Sequence, residues 1–225
     1  MADLLKSIFS NYPRNYYYLL IFLAVSLPLS VFTTSFAEIL LVLNWIAEGN
    51  FSEKIRVLKK RKAPLIVSSI FLLHILGLIY TNDFQYAFHD LKIKLPLLVL
   101  PLIMGSSDLL QENKIRNILL FFSASVLVSS FVSSGIYFGI IHYEYYDFRD
   151  ISIFISHIRL SLMVNLAIFI LLWYGLRGED LFLKSLKVKS LLLFSALWLI
   201  VFLLILKSAT GAVVFLVLLL FMSWW

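Results

Sequence analysis

The chain has 225 residues, of which 61% are hydrophobic and 14% charged, with a formal net charge of +6 and a mean hydropathy of +0.95. An ordinary soluble domain is about one-quarter charged, so this chain lacks the polar residues to cover a water-exposed surface. That excludes a soluble enzyme, a disordered chain and a fibrous protein, and leaves an all-α, polytopic transmembrane helical bundle.

A membrane-crossing helix needs about 20 mostly apolar residues rising about 1.5 Å each. Asn15–Ala47 is interrupted only by Glu38 and as one helix would reach about 50 Å. It therefore predicts a helical hairpin turning near Thr33–Ser35, with Pro28 bending its first arm. A basic run, Lys54–Lys62, follows, and then a span over Ala63–Tyr80. Leu95–Ser107 contains Pro96 and Pro101 and predicts a kinked span that borrows length from its flanks. The remaining apolar runs are Ile118–Ile141, Leu160–Leu176, Ser190–Leu206 and Gly211–Trp225. The sum is eight spans, or seven if the first hairpin is one span and an interfacial helix. All of residues 1–225 read as a single membrane domain, with the first apolar run a retained signal anchor.

Lysine and arginine divide unevenly between alternate loops. Fourteen of the nineteen fall in one set, which includes Lys54, Arg56, Lys59, Lys60, Arg61 and Lys62. Five fall in the other: Lys92, Lys94, Arg149, Arg159 and Lys207. The positive-inside rule places the amino terminus and the Lys54–Lys62 run in the cytoplasm, with Thr81–Lys94 and His142–Arg159 on the outer side. The basic balance thus reports topology and anionic-lipid contact rather than nucleic acid, for which no groove-reading or stacking pattern is present.

The outer segments carry the polar chemistry. Phe84, Phe88, Leu91 and Leu95 are spaced by 4, 3 and 4, one apolar stripe of a helix lying in the interface. Lys92 and Lys94 then sit at headgroup depth, to snorkel or to hold a phosphate. His142–Arg159 gathers Tyr143, Tyr145, Tyr146 and Phe148, an interfacial belt or a set of surfaces for sugar rings. Arg149 lies between Asp147 and Asp150, which can neutralise it. Arg159 opens the next span with no acidic residue in the following seventeen positions. A guanidinium at that depth calls for a carboxylate, a lipid phosphate or a substrate phosphate. His157, two residues earlier, is the adjoining candidate contact. Within the spans, His74 and Asn165 are most cheaply read as interhelical hydrogen bonds, and Glu38 as a residue near water at a span end. No phosphate-binding loop, nucleophile elbow, zinc motif or dinucleotide fingerprint is present, and cysteine is absent.

Three stretches together have a familiar order: YTNDFQYAFHDLKIKLPLLVLPLI (Tyr80–Ile103), FISHIRLSLM (Phe154–Met163) and LKSATGAVVFL (Leu206–Leu216). They resemble the amino-terminal half of the O-antigen ligase family, membrane glycosyltransferases that belong with the O-antigen polymerases. Lys94-Leu95-Pro96 with Pro101, and Ser156-His157-Ile158-Arg159, are the distinctive parts. The resemblance implies transfer of a glycan from undecaprenyl diphosphate to a lipid A core or similar acceptor, on the outer face of a bacterial inner membrane, with no cofactor and no metal. It makes Arg159 a diphosphate-holding residue, with Lys94 and Arg149 as weaker candidates and His157 in contact with substrate. Two departures qualify it. Where the family has a Ser-Arg-Thr-Gly-like run, this chain has Ser208-Ala209-Thr210-Gly211 with Lys207 before it. The family's large periplasmic loop, which carries the histidine and arginine of the chemistry, lies beyond the portion matched, so the resemblance implies a truncated chain and names no catalytic residue. A transporter or flippase of a lipid-linked substrate is the alternative from another class, and a non-catalytic assembly subunit a third.

Overall fold

A computed structural model describes residues 11–107, 110–177 and 185–224. It is all-helical, 82% helix and without strands among the described residues. The helices are α1 (Tyr12–Ser26), α2 (Val31–Glu48), α3 (Phe51–Lys60), α4 (Lys62–Gly77), α5 (Phe84–Lys94), α6 (Pro96–Ser106), α7 (Glu112–Tyr137), α8 (His157–Arg177), α9 (Leu186–Ile205) and α10 (Ala209–Trp224), with a 3₁₀ turn at Phe148–Ile151. Four of them, α2, α7, α8 and α9, are long and apolar enough to cross a membrane, and Lys62–Gly77 and Ala209–Phe221 are shorter apolar helices. The eight crossings expected from apolar runs thus exceed the four that length and composition qualify. The chain is a membrane protein, and its contacts divide it into two compact units.

The first unit comprises the residues up to Leu20 together with Ser35–Gln111. Here α4 packs on α6 at Gly105, where a Cβ would overlap the Pro64 ring. Ser68 Oγ crosses the same interface to donate to the Leu98 carbonyl at 3.3 Å. Lys54, Arg56, Lys59 and Lys60 of the basic run lie in helix α3, entered through a left-handed turn at Gly49 (φ 68°) and Asn50 (φ 51°). Its Lys54 is only 5% exposed. The Lys54 ammonium reaches back to the end of α2, donating to the Trp45 carbonyl at 2.6 Å and pairing with Glu48 at 2.8 Å. A cation at a helix carboxyl end satisfies orphan carbonyls and complements the dipole. Arg61 does the same at the end of α6, donating to the Gly105 and Ser107 carbonyls at 3.0 and 2.9 Å.

The turn between α1 and α2 lies at Leu27–Ser30, earlier than the expected Thr33–Ser35. Pro28 sits in that turn instead of bending a helix, and Ser30 Oγ accepts from the Thr33 amide at 3.3 Å, an N-cap interaction that starts α2. Thr33 and Thr34 add their own hydroxyl bonds to the Ser30 carbonyl and belong to the helix. Glu38 is therefore inside α2 and partly buried, not at a span end.

The second unit comprises Ile21–Thr34 and Glu112–Trp225. Helix α8 is its centre. Leu160, Val164, Ala167, Ile168 and Leu171 follow the helical period and are fully buried. They meet Ala196, Leu199, Phe202 and Leu203 of α9 and Val126 of α7. Small residues bring the helices close: a Cβ at Gly175 would stand 2.9 Å from Leu193 Cδ2. Helix α7 turns a row of serines inward, among them Ser125, Ser129 and Ser133 at intervals of four, the small-residue spacing of membrane helix interfaces. Trp198 of α9 stacks on Phe131 with centroids 4.8 Å apart and donates its indole N–H to Ser130 Oγ at 2.9 Å. On the opposite side α9 exposes Leu191, Phe194, Leu197, Val201 and Leu204. So continuous an exposed apolar stripe is rare on a soluble monomer and suits contact with lipid. Lys187 and Lys189 precede that stripe and Lys207, at φ 49°, follows it.

Candidate functional site at the start of α8 and α10

Polar and aromatic chemistry in the second unit begins where α7 ends. Gly139, in the left-handed conformation (φ 72°), stops the helix, and the Ile140 amide returns to the Gly135 carbonyl at 2.8 Å. The chain then lines a recess of about 460 Å³ with Tyr137, His142, Tyr143, Glu144 and Tyr145. Tyr146 beside it is fully exposed. The 3₁₀ turn that follows is closed by a capping box between Asp147 and Asp150 and packs on both α7 and α8. Its Ile151 and the nearby Ile155 are buried in the core against which α8 begins.

The expected site residues separate by environment. Lys94 belongs to the first unit and pairs with Asp90 one helical turn earlier, at 2.6 Å. The i,i+4 spacing of Asp90 and Lys94 was visible in the sequence, yet no partner was assigned to Lys94 there. Arg149 lies in the 3₁₀ turn with its guanidinium 3.7 Å from the Asp147 carboxylate, both well exposed. The Asp147 carboxylate also accepts from the Arg149 amide at 3.0 Å. His157 is partly buried and is the first residue of α8, and Arg159 follows in the same turn, exposed. Arg159 makes no ion pair or hydrogen bond among the described residues, and the first turn of α8 contains no acidic residue. A cation in the first turn stands against the positive end of the helix dipole. Two sources of positive potential thus coincide there, with no carboxylate in ion-pair contact with Arg159 among the described residues.

Directly below this turn, α8 and α10 are joined by polar side chains. Ser161 Oγ donates to the Ile158 carbonyl at 2.8 Å and lies 3.0 Å from Ser208 Oγ. Ser208 caps α10 by accepting from the Gly211 amide at 3.2 Å. Asn165, 1% exposed, donates from Nδ2 to the Ser161 carbonyl at 2.9 Å and to the Gly211 carbonyl at 3.0 Å. Its Oδ1 is buried with no partner among the described residues. Gly211 permits this close crossing, since a Cβ would approach Ser161 Cβ to 2.7 Å and Leu203 Cδ1 to 3.0 Å and force the helices to shift. The two motifs that are distant in sequence, around Arg159 and around Ser208, therefore meet in space through Ser161 and Ser208.

Asn165 makes the interhelical bond expected of it. His74 does not: its Nδ1 lies 2.9 Å from the Ile70 carbonyl of its own helix. Serines Ser161 and Ser208 escaped sequence reasoning because neither residue type nor spacing marks a contact between positions 47 apart. Among the described residues no group of His, Cys, Asp and Glu is arranged to hold a metal ion. Comparisons of the chain with protein-family models, curated proteins and solved structures find no match.

Proposed function

We propose that this chain acts in glycan transfer, as a membrane protein of the O-antigen ligase type. It holds an undecaprenyl-diphosphate-linked glycan at the outer face of a bacterial inner membrane, for passage to a lipid A core or similar acceptor. The observation that carries this reading is Arg159, exposed at the amino end of α8 with no ion-pair partner among the described residues. A lipid diphosphate supplies the anion that this turn lacks, and a bidentate guanidinium with free helix amides is suited to it. By holding the diphosphate as negative charge grows on it, Arg159 would assist departure of the glycosidic oxygen. His157 adjoins the same turn as a substrate contact. Arg149, facing Asp147, is a secondary contact in the same unit, whereas Lys94 lies in the first unit and is not assigned to this site. The recess lined by Tyr143, Glu144 and Tyr145 lies in the same unit and offers aromatic faces and a carboxylate to a sugar. Catalytic residues are not assigned.

In this reading the four long helices, the shorter α4 and α10, and the segments of α1 and α6 make eight crossings, with the amino terminus cytoplasmic. The flippase alternative needs a wet path beside His74 and Asn165. The burial of Asn165 speaks against it. The test is Arg159→Ala, expressed at the native level in cells whose surface glycan depends on this protein. Loss of glycan attachment, with membrane insertion retained, is expected. Normal glycan attachment would remove Arg159 from the mechanism.

A further inference from the structure

Helix α3 is held at both ends. Lys54 binds it to the carboxyl end of α2, and that ammonium also lies 4.7 Å from the Trp45 ring and 5.5 Å from the Phe51 ring. Arg61, which follows α3, binds the carboxyl end of α6. Trp45 Nε1 closes the arrangement by donating to Ser106 Oγ at 2.7 Å. Helix α4 departs immediately afterwards, at Lys62. Two apolar helices thus end, and a third begins, at this one short polar helix. Such a helix sits where apolar segments leave the hydrocarbon, at the level of the lipid headgroups.

The tethers also determine which face of α3 looks outward. Phe51 and Ile55 are about half exposed. Beside them Ser52, Ile55, Arg56, Lys59 and Lys60 line an open groove of about 380 Å³. Arg56 meets Glu53 at 3.0 Å, with both side chains about two-thirds exposed, a pairing of little strength in water. Lys59 and Lys60 have no acidic partner among the described residues. Apolar residues interleaved with uncompensated cations on one outward face are the features of a helix lying in a charged membrane surface.

We propose that the groove of α3 is a binding site for an acidic glycerophospholipid. The lipid phosphate sits among Arg56, Lys59 and Lys60 with the Ser52 hydroxyl, while Phe51 and Ile55 enter the acyl boundary. The exposed apolar pair, and the position of α3 where helices leave the membrane, favour a lipid over a soluble anion. The inference is independent of glycan transfer.

The test uses the full chain in phosphatidylcholine nanodiscs containing spin-labelled phosphatidylglycerol or spin-labelled phosphatidylcholine, with the motionally restricted fraction measured for each. Wild type is expected to prefer phosphatidylglycerol, and each cation removed should lower that preference by about fivefold. Arg56→Ala/Lys59→Ala/Lys60→Ala should therefore lose it almost entirely, whereas Lys187→Ala/Lys189→Ala on α9 should retain it. An unchanged preference in the triple variant overturns the site. Inorganic phosphate that abolishes the preference at an ionic strength where chloride does not would also overturn it, in favour of a soluble anion. Because the chain has no cysteine, Ile55→Cys carrying an environment-sensitive fluorophore gives a readout with the cations intact. Its emission should shift to the blue in phosphatidylglycerol vesicles relative to phosphatidylcholine vesicles, and equal emission in both would count against the site.

Discussion

At Gly211 the approach of two helices is limited by a single hydrogen atom. A methyl group there would press on Ser161 Cβ and on Leu203, in a polar junction whose hydroxyls and Asn165 Nδ2 are already committed. Gly211→Ala is therefore expected to destabilise the second unit by about 1–3 kcal/mol, the usual range for overpacking. Ser161→Gly in the same chain should recover part of that loss, because it removes the atoms that collide. A double-mutant cycle followed by unfolding in mixed micelles measures the coupling, and simple additivity would disprove the clash. The sequence made Asn165 legible as a residue needing a polar partner, since a carboxamide in an apolar run has few other fates. It did not reveal the partner, because the Gly211 carbonyl is a main-chain atom that any residue would have supplied. Arg159 was legible for a related reason: a cation without an acid within reach along its own helix is visible in one dimension.

Among the elements, α3 departs furthest from what charge density alone suggests. Six basic residues in nine positions look like a solvated loop with one topological purpose. Folded, Lys54 and Arg61 at the ends of this segment are structural ties, and Arg56, Lys59 and Lys60 face outward. Lys54→Met should loosen α3 by about 2 kcal/mol, below the range for a fully buried pair because Glu48 is partly open to water. Hydrogen exchange across Phe51–Lys60 should accelerate accordingly, and unchanged exchange would show that the tether carries nothing. The long helices α7, α8 and α9 lie close to the apolar runs that predict them, because charged residues bound those runs on both sides. The turn at Leu27–Ser30 is not legible in the sequence for the opposite reason. No charge marks it, and Pro28 fits a bend in a helix as readily as a turn before an N-cap.

For the whole molecule, the proposed orientation rests on the loop charges. The lack of native cysteine allows single cysteines to report it directly. Tyr80 and Tyr146 are 87% and 101% exposed, and Lys60 is exposed as well. Tyr80→Cys and Tyr146→Cys should react with an impermeant maleimide in intact cells, and Lys60→Cys only after permeabilisation. Labelling in the reverse pattern would move Arg159 to the cytoplasmic side and end the reading of an outer-face glycan site. Apolar character was legible everywhere in the sequence, whereas the number of crossings was not. Helix α6 has 11 residues and α1 has 15, and runs of that length need neighbours to set their depth.

The lysines that bracket α9 act as stops at both ends of a piston. Lys189 and Lys207 are separated by 18 residues, about 27 Å along a helix, close to the thickness of the bilayer's hydrocarbon layer. A downward or upward slide of one turn, about 5.4 Å, would draw a lysine below the headgroups. The penalty is a fraction of the about 2.5–3.5 kcal/mol that a lysine costs at the bilayer centre, because its stem can still carry the ammonium back to the interface. Vertical travel of α9 is therefore opposed in both directions, while tilt and rotation in the plane remain open. Since α8 packs along α9 and α10 is joined to α8 through Ser161 and Ser208, the depth of Arg159 follows from this same ruler.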